Sequence, residues 1–333
     1  MLRQYLLLVR APNLFTVPSN ILAGYFAITP VGLTDIGALL LIVVSSIFLY
    51  MSGIILNDYF DIEVDRRERP NRPLASGRIE KRIALVIAVS SIILANIVAL
   101  VVGFTTLAVS ASLTCAIIAY NYRLKRHTIG NPLTMGLARF LNGVLGGSPA
   151  MGLVITVHQD YALLVFIGCC LFLYTAAISI LSRKEIANTK ISFAYFWIPI
   201  FLSFSIVSFT IVLILTVGLL GYFHIWFIFN LIIFSCVMTA TFLLLIMKLR
   251  KLTKTPAEIG HRKENDIRLT EGAQKDRSSK ASREIQLAIK IMILSIIVLD
   301  SIFLSGLIGI APGMAILLLV IPPILLGPRL YVT

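Results

Sequence analysis

Apolar residues in this chain fall in long uninterrupted runs, at about 12–28, 36–57, 82–102, 104–121, 132–154, 161–181, 192–220, 224–247, 286–309 and 311–327. Each run is about as long as an α-helix needs to cross the hydrocarbon core of a bilayer. A transmembrane barrel would alternate apolar and polar positions instead, so continuous runs argue against one. The pattern predicts an all-α fold: a polytopic membrane bundle of nine or ten transmembrane helices. Pro322 and Pro323 make the last run a poor helix, and that run separates nine from ten.

Composition agrees, with 58% hydrophobic residues over 333 positions and a mean hydropathy of +0.93. If the spans follow one another in order, the 2–3, 4–5, 6–7 and 8–9 loops hold nearly all the lysine and arginine. That distribution predicts an integral membrane protein with its N-terminus, Arg3, Arg10 and these loops in the cytoplasm. The net charge of +13 then describes loops facing anionic lipid, and no nucleic-acid partner is implied. Cys115, Cys169, Cys170 and Cys236 lie inside apolar runs without metal-ligand spacing and read as packing residues. The first run has no evident small-residue cleavage site and is expected to be retained. A single membrane domain spans 1–333, with a motif loop at 58–81 and a basic cytoplasmic loop at 248–285, the latter partly helical or disordered.

Chemistry concentrates where the second run ends, in NDYFDIEVDRRERPNRPLASGRI, Asn57 to Ile79. At about 100° per residue, Asp58, Asp61 and Asp65 fall within roughly 60° of one another on a helix. Glu63 points away, and Asn57 adds an amide oxygen to the edge of the stripe. Carboxylates this close repel unless a cation lies among them, and hard oxygen ligands suit magnesium carrying a phosphate-bearing substrate. A helix end with solvated charges is the plainer reading. Against it stand Arg66, Arg67, Arg69, Arg72 and Arg78, a phosphate-binding composition immediately downstream.

Polar groups within the runs are the next candidates, because they are costly in lipid and usually face a cavity or a neighbouring helix. These are Asn13, Asn20, Arg139, Asn142 and Asp300. Arg139 calls for an anionic partner, either a diphosphate or Asp300. The 4–5 loop, YNYRLKRHTIGNP, places Tyr120, Tyr122, Arg123, Lys125, Arg126 and His127 at the same surface as the stripe. There they either cover a diphosphate or form an aromatic belt with topology-setting charge.

These residues resemble the UbiA superfamily of intramembrane aromatic prenyltransferases. The matching segments are RAPN (Arg10, Pro12, Asn13), NDYFDIEVD as the family's first Asp-rich motif, the RPNRPLASGRI that follows, and Tyr120 with Lys125 in the 4–5 loop. The likeness extends over about residues 5–310. It implies a helical bundle around a lipid-accessible cavity and magnesium-dependent ionisation of an isoprenyl diphosphate, followed by alkylation of an unidentified acceptor. It further implies catalytic roles for Asp58, Asp61, Asp65, Tyr120 and Lys125, the three aspartates holding the metal. Asn13, Asn57, Arg69, Arg72 and Arg139 are the expected substrate ligands.

The chain departs from the family after the sixth run, in YTAAISILSRKEIANTK, where Glu185 is the only acidic residue of an expected second Asp-rich motif. With GNPLTMGLARFLNGVLGGSPA, this places the likeness closest to the divergent Ebo-type branch. Either Arg183 and Lys184, beside Glu185, supply as fixed cations the charge of a second metal, or the site has lost turnover. In the second case the protein is a non-catalytic isoprenoid- or lipid-binding or transport component. Prenyl length, acceptor and oligomeric state are not specified by these residues.

Overall fold

A computed structural model describes residues 2–29, 31–151, 158–186, 225–253 and 266–330; at 158–160, 183–186, 225–226, 248–253, 266–283 and 328–330 only the backbone is described. The helices are α1 (Leu2–Leu8), α2 (Ala11–Leu14), α3 (Thr16–Ile28), α4 (Ile36–Phe60), α5 (Ile62–Glu68), α6 (Lys81–Val102), α7 (Phe104–Tyr122), α8 (Gly130–Gly147), α9 (His158–Ile186), α10 (Ile225–Thr253), α11 (Asp266–Ile308), α12 (Ile310–Leu317) and α13 (Ile321–Leu330). No β-strand occurs among the described residues.

Among the described residues seven helices are long and apolar enough to cross a membrane, and an eighth is counted if α1 and α2–α3, bent by 54°, form one span. The expected count of nine or ten is therefore not reached here. The run at 192–220 lies outside the described residues, and α8, which takes the place of the run at 132–154, carries Thr134, Arg139 and Asn142 and is less apolar than the others. The last run is helical despite its prolines, because Pro322 and Pro323 fall in the first turn of α13, where a missing N–H is harmless. The ninth run begins much earlier than its apolar stretch, at Asp266, and gives a helix of 43 residues. Part of the 248–285 loop is thus helical, as expected.

Packing follows the logic of a lipid solvent. Helix α6 buries Ala84, Ala88, Ser91, Ala95 and Ala99 and exposes Val86, Val89, Ile93, Ile97 and Leu100. Small residues face the neighbouring helix and large apolar ones face outward, since lipid-exposed leucines lose nothing and close backbone approach gains contacts. The seam between α3 and α8 is tighter still. A Cβ on Gly24 would lie 1.9 Å from the Gly143 carbonyl oxygen, and one on Gly146 would lie 2.3 Å from that of Ile21. Helices α9, α10 and α11 enclose the largest apolar core, in which Phe166 and Phe227 each pack on Phe303 with ring centroids 6.0 Å apart. A one-residue link at Gly309, with φ of 103°, turns α11 back into α12, a conformation open to glycine at little cost.

Candidate active site

The stripe begins on α4, whose run of apolar residues ends in Asn57 and Asp58. The helix does not continue unbroken: it gives way at Asp61 (φ −100°, ψ 9°) and restarts as α5, although the backbone bonds Asp61 N to Asn57 O and Asp65 N to Asp61 O bridge the joint. Asp58 and Asp65 are buried, 2% and 5% exposed, while Asp61 is only half-buried. Glu63 points away, as expected, and pairs with Arg66 at 2.9 Å on the exposed side.

Three basic side chains neutralise the stripe. Arg72 places Nη1 2.7 Å from Asp65 Oδ2 and 3.0 Å from Asp58 Oδ1. Arg10 Nη2 lies 2.8 Å from the same Asp58 oxygen. Lys125 Nζ meets Asp61 Oδ1 at 2.7 Å and donates long bonds to the backbone and side-chain oxygens of Asn57 at 3.4 and 3.5 Å. Burial pushes the Asp65 carboxyl up against the pull of Arg72, and it pushes Arg72 down, with Arg10 adding to that effect. Lys125 is also lowered by burial, against the pull of Asp61. All three shifts favour the uncharged forms, so these pairs hold together at the expense of hydration.

In this arrangement the three aspartates meet cationic side chains and not one another. Among the described residues no three acidic, His or Cys side chains converge to hold a metal. The reason is the break at Asp61, which turns that carboxylate toward Lys125 while Asp58 and Asp65 share Arg72. The donor set nonetheless fits magnesium, which is held by one or two carboxylates with the remaining positions left to water and phosphate. Asp58 and Asp65 already bind one cationic nitrogen between them, and Asn57 and Asp61 stand beside them.

Beneath the stripe opens a cavity of about 280 Å³. Its lining follows helical periodicity: Ser46, Leu49, Tyr50, Gly53, Ile54 and Asn57 from α4; Leu113, Ile117, Tyr120 and Asn121 from α7; Thr134, Met135, Ala138, Arg139 and Asn142 from α8. Thr175 and Ile178 of α9 and Ile293 and Ile296 of α11 close the far side, and Arg10 and Asn13 stand at the start of the first span. Asn13, Asn57, Tyr120 and Arg139 therefore share one cavity. Arg69 caps α5 beside Arg72 without an ion pair among the described residues. Tyr122 does not face the cavity and instead packs on Phe60, centroids 6.2 Å apart. The side chains of Arg183, Lys184 and Glu185 lie outside the described residues.

Inside the bundle Arg139 meets Asp300 only through an intermediary. Its Nη1 donates to Asn20 Oδ1 and, at 3.3 Å, to the Thr16 carbonyl, and its Nη2 donates to Thr16 Oγ1 at 3.0 Å. Asn20 Nδ2 in turn donates to Asp300 Oδ2 at 2.8 Å, which also accepts from Ser19 at 2.7 Å. Asn142 accepts from Ser46 across α4 and α8. Asn20, Asn142 and Asp300 thus tie helices together, the plainer of their two expected roles.

Sequence reasoning did not place Arg10 at the site. Among the described residues it is the only non-glycine with positive φ (47°), an arrangement that costs of order 1–3 kcal/mol and persists only where surroundings impose it. From this break its side chain reaches Asp58. The signal was the Arg-Ala-Pro sequence, in which Pro12 starts a new helix and leaves Arg10 at the break.

The site is a largely apolar cavity inside a helical bundle of membrane type, opening beneath an ion-paired acidic stripe. Residues 17–260 match the UbiA prenyltransferase family, and the chain belongs to that family. Among curated relatives it is 30% identical over 134 residues to the digeranylgeranylglyceryl phosphate synthase of Methanothermobacter thermautotrophicus, covering 40% of this chain and 45% of that one. It is 28% identical over 187 residues to the Ignicoccus hospitalis protein of the same name, covering 55% and 59%. The chain spans about half the length of the curated relatives it matches. Its fold is shared with a solved structure described as giving insights into digeranylgeranylglyceryl phosphate synthase in membranes, at a TM-score of 0.56 and 21% identity over 90% of this chain and 98% of that one.

Proposed function

We propose that this protein is an integral-membrane prenyltransferase, moving an isoprenyl group from a prenyl diphosphate to an aromatic or other small acceptor. The observation that carries the reading is the acidic stripe with its arginines and lysine set over a largely apolar cavity, in a chain of the UbiA family. In the reaction the C1–O bond of the prenyl diphosphate breaks and diphosphate leaves with the electron pair. The allylic cation then bonds to a nucleophilic atom of the acceptor, which gives up a proton.

Asp58 and Asp65, joined by Asp61 and Asn57, are the residues that hold magnesium, which when bound offsets the charge building on the departing diphosphate. Arg10, Arg72 and Lys125, each paired with a stripe carboxylate, would offer N–H donors to the phosphate oxygens, and Arg69 adds charge at the rim. Tyr120 borders the space where C1 lies, and Asn13 orients the acceptor. The apolar residues of α4, α7 and α11 receive the prenyl tail and keep water from the cation.

Arg183 and Lys184, flanked by Glu185, stand in for the second metal site of the family, and this substitution supports a place in the Ebo-type branch. The basic loops lie in the cytoplasm, the whole chain forms nine or ten spans, and membrane lipid surrounds it. The test is incubation of the purified protein in lipid with labelled prenyl diphosphates and host extract. Magnesium-dependent release of diphosphate with a labelled product is expected, and tight binding without release would remove the reading.

A further inference from the structure

Asn131, in the first turn of α8, lines neither the cavity nor the acidic stripe. Its Nδ2 donates to the Lys125 carbonyl at 2.9 Å, and its Oδ1 accepts from Ser179 Oγ of α9. A carbonyl can only accept, so the amide has one orientation here, nitrogen toward Lys125 and oxygen toward Ser179. An asparagine at a helix start ordinarily turns its oxygen onto the N–H groups of that first turn. Asn131 instead joins two other elements. Ser179 is 3% exposed and Asn131 is half-buried, so little water competes for the bond between them.

Lys125 sits in a one-turn 3-10 helix, Leu124–Arg126, and a helix end leaves carbonyls without intrahelical donors. Asn131 supplies the donor for the carbonyl of Lys125. The rest of the loop folds tightly onto the start of α8: the His127 N–H donates to Leu124 O at 3.1 Å, the Asn131 N–H donates to His127 O at 3.1 Å, and a Cβ on Gly130 would stand 3.0 Å from Leu124 O. From this anchored backbone the Lys125 side chain, 7% exposed, reaches past the Phe60 ring, 5.9 Å from its centroid, to Asp61 Oδ1 at 2.7 Å. A long flexible stem separates the ammonium from its Cα, so its place over the stripe depends on where that backbone is held. Ser179, the other end of the tie, is four residues before Arg183 along α9, about one helical turn.

Resting on the proposed transfer reaction, we propose that Asn131 and Ser179 are positioning residues for Lys125, holding its loop so that the ammonium stays over the acidic stripe where the diphosphate binds. Neither touches substrate. The end of α9 is thereby coupled to the stripe through one side chain, and a shift of that end moves Lys125 relative to Asp61.

Two measurements on the full-length protein in lipid nanodiscs test this. The first is acylation of Lys125 by an amine-reactive ester without ligand, read by peptide mass spectrometry and normalised to Lys81, an exposed lysine at the start of α6. Asn131→Ala is expected to raise the normalised rate about 3- to 10-fold, the worth of one hydrogen bond. Ser179→Ala is expected to raise it less, and the two together no more than Asn131→Ala alone, since both act through one tie. The second is calorimetric affinity for a non-hydrolysable prenyl thiolodiphosphate with magnesium. Asn131→Ala is expected to weaken binding about 3- to 10-fold where Lys125 is present, and by less than about twofold in a Lys125→Met background, where nothing remains to be positioned.

An unchanged acylation ratio in both variants overturns the proposal. So does a loss of thiolodiphosphate affinity of equal size with and without Lys125, which marks Asn131 as a packing residue alone. If Asn131→Ala has no cooperative unfolding transition, Ser179→Ala is carried through the same pair of backgrounds and read by the same criteria. A wild type that binds no thiolodiphosphate counts against the transferase reading, while the acylation ratio still decides whether Asn131 holds Lys125.

Discussion

Replacing Arg72 by Gln separates the two functions of the stripe, its stability in the resting state and its affinity for metal. Arg72 is the shared partner of Asp58 and Asp65, with both contacts at or below 3.0 Å and its own side chain 14% exposed. Its loss leaves two buried carboxylates facing each other. Removing one partner of a buried ion pair costs about 3–5 kcal/mol. Arg10 remains on Asp58 and Arg72 is partly open to solvent, which places the expected loss at the low end, about 3 kcal/mol.

Metal binding should move the other way. In the wild type the ion displaces a charge-assisted contact worth about 1.5–3 kcal/mol before it gains any ligand, so the variant should bind magnesium about 10- to 100-fold more tightly when no diphosphate is present. Thermal unfolding in detergent with and without magnesium, together with calorimetry, reads both effects. Arg72→Gln should be destabilised and then restored by magnesium, and Arg72→Gln with Asp65→Asn should be stable without it. An Arg72→Gln protein that matches the wild type in both Tm and magnesium affinity would falsify the description of the stripe as a cation site held by its own arginines.

Three further outcomes are expected. Gly146→Ala forces a Cβ to within 2.3 Å of the Ile21 carbonyl oxygen, so α3 and α8 must part and stability should fall by about 1–3 kcal/mol or more, measured by unfolding in detergent; an unchanged Tm contradicts the close seam. Cysteines placed in 66–78 and 262–280 should escape an impermeant thiol reagent applied outside intact cells, and efficient labelling reverses the topology. Arg183→Gln with Lys184→Gln should weaken diphosphate binding by about 2–5 kcal/mol if both make buried charge-assisted contacts and by well under 1 kcal/mol if they set topology alone; a near-zero change discards the fixed-cation account.

The helices and the position of the site were legible because both rest on short-range rules. Runs of apolar residues end close to where α4, α6 and α7 end, and the stripe of Asp58, Asp61 and Asp65 falls at the junction of span and loop. The cavity wall was not legible: Ser46, Leu49, Tyr50, Gly53, Ile54 and Asn57 line it at helical spacing, but no shared residue type sets that face of α4 apart within an apolar run. The partners of the carboxylates were not legible. Arg10 is 48 positions from Asp58, and Lys125 reaches Asp61 from the far side of two spans. Such pairings depend on how helices pack, which periodicity does not encode. The break at Asp61 escaped notice for another reason: no glycine or proline marks it, and the carboxylate there answers to Lys125 on another helix.

The seam between α3 and α8 constrains how this cavity can diversify over generations. Backbone touches backbone at Gly24 with Gly143 and at Gly146 with Ile21, so any larger residue there displaces a helix and disturbs Thr16, Asn20 and Arg139 together. That wall is closed to gradual change. The opposite wall is lined by Thr175 and Ile178 on α9 and Ile293 and Ile296 on α11. Substitutions there alter volume one methylene at a time without moving the stripe or the inner arginine. Paralogues with new tail lengths or acceptors should therefore differ first on α9 and α11, with the α3–α8 seam inherited unchanged as the frame against which the new shapes are selected.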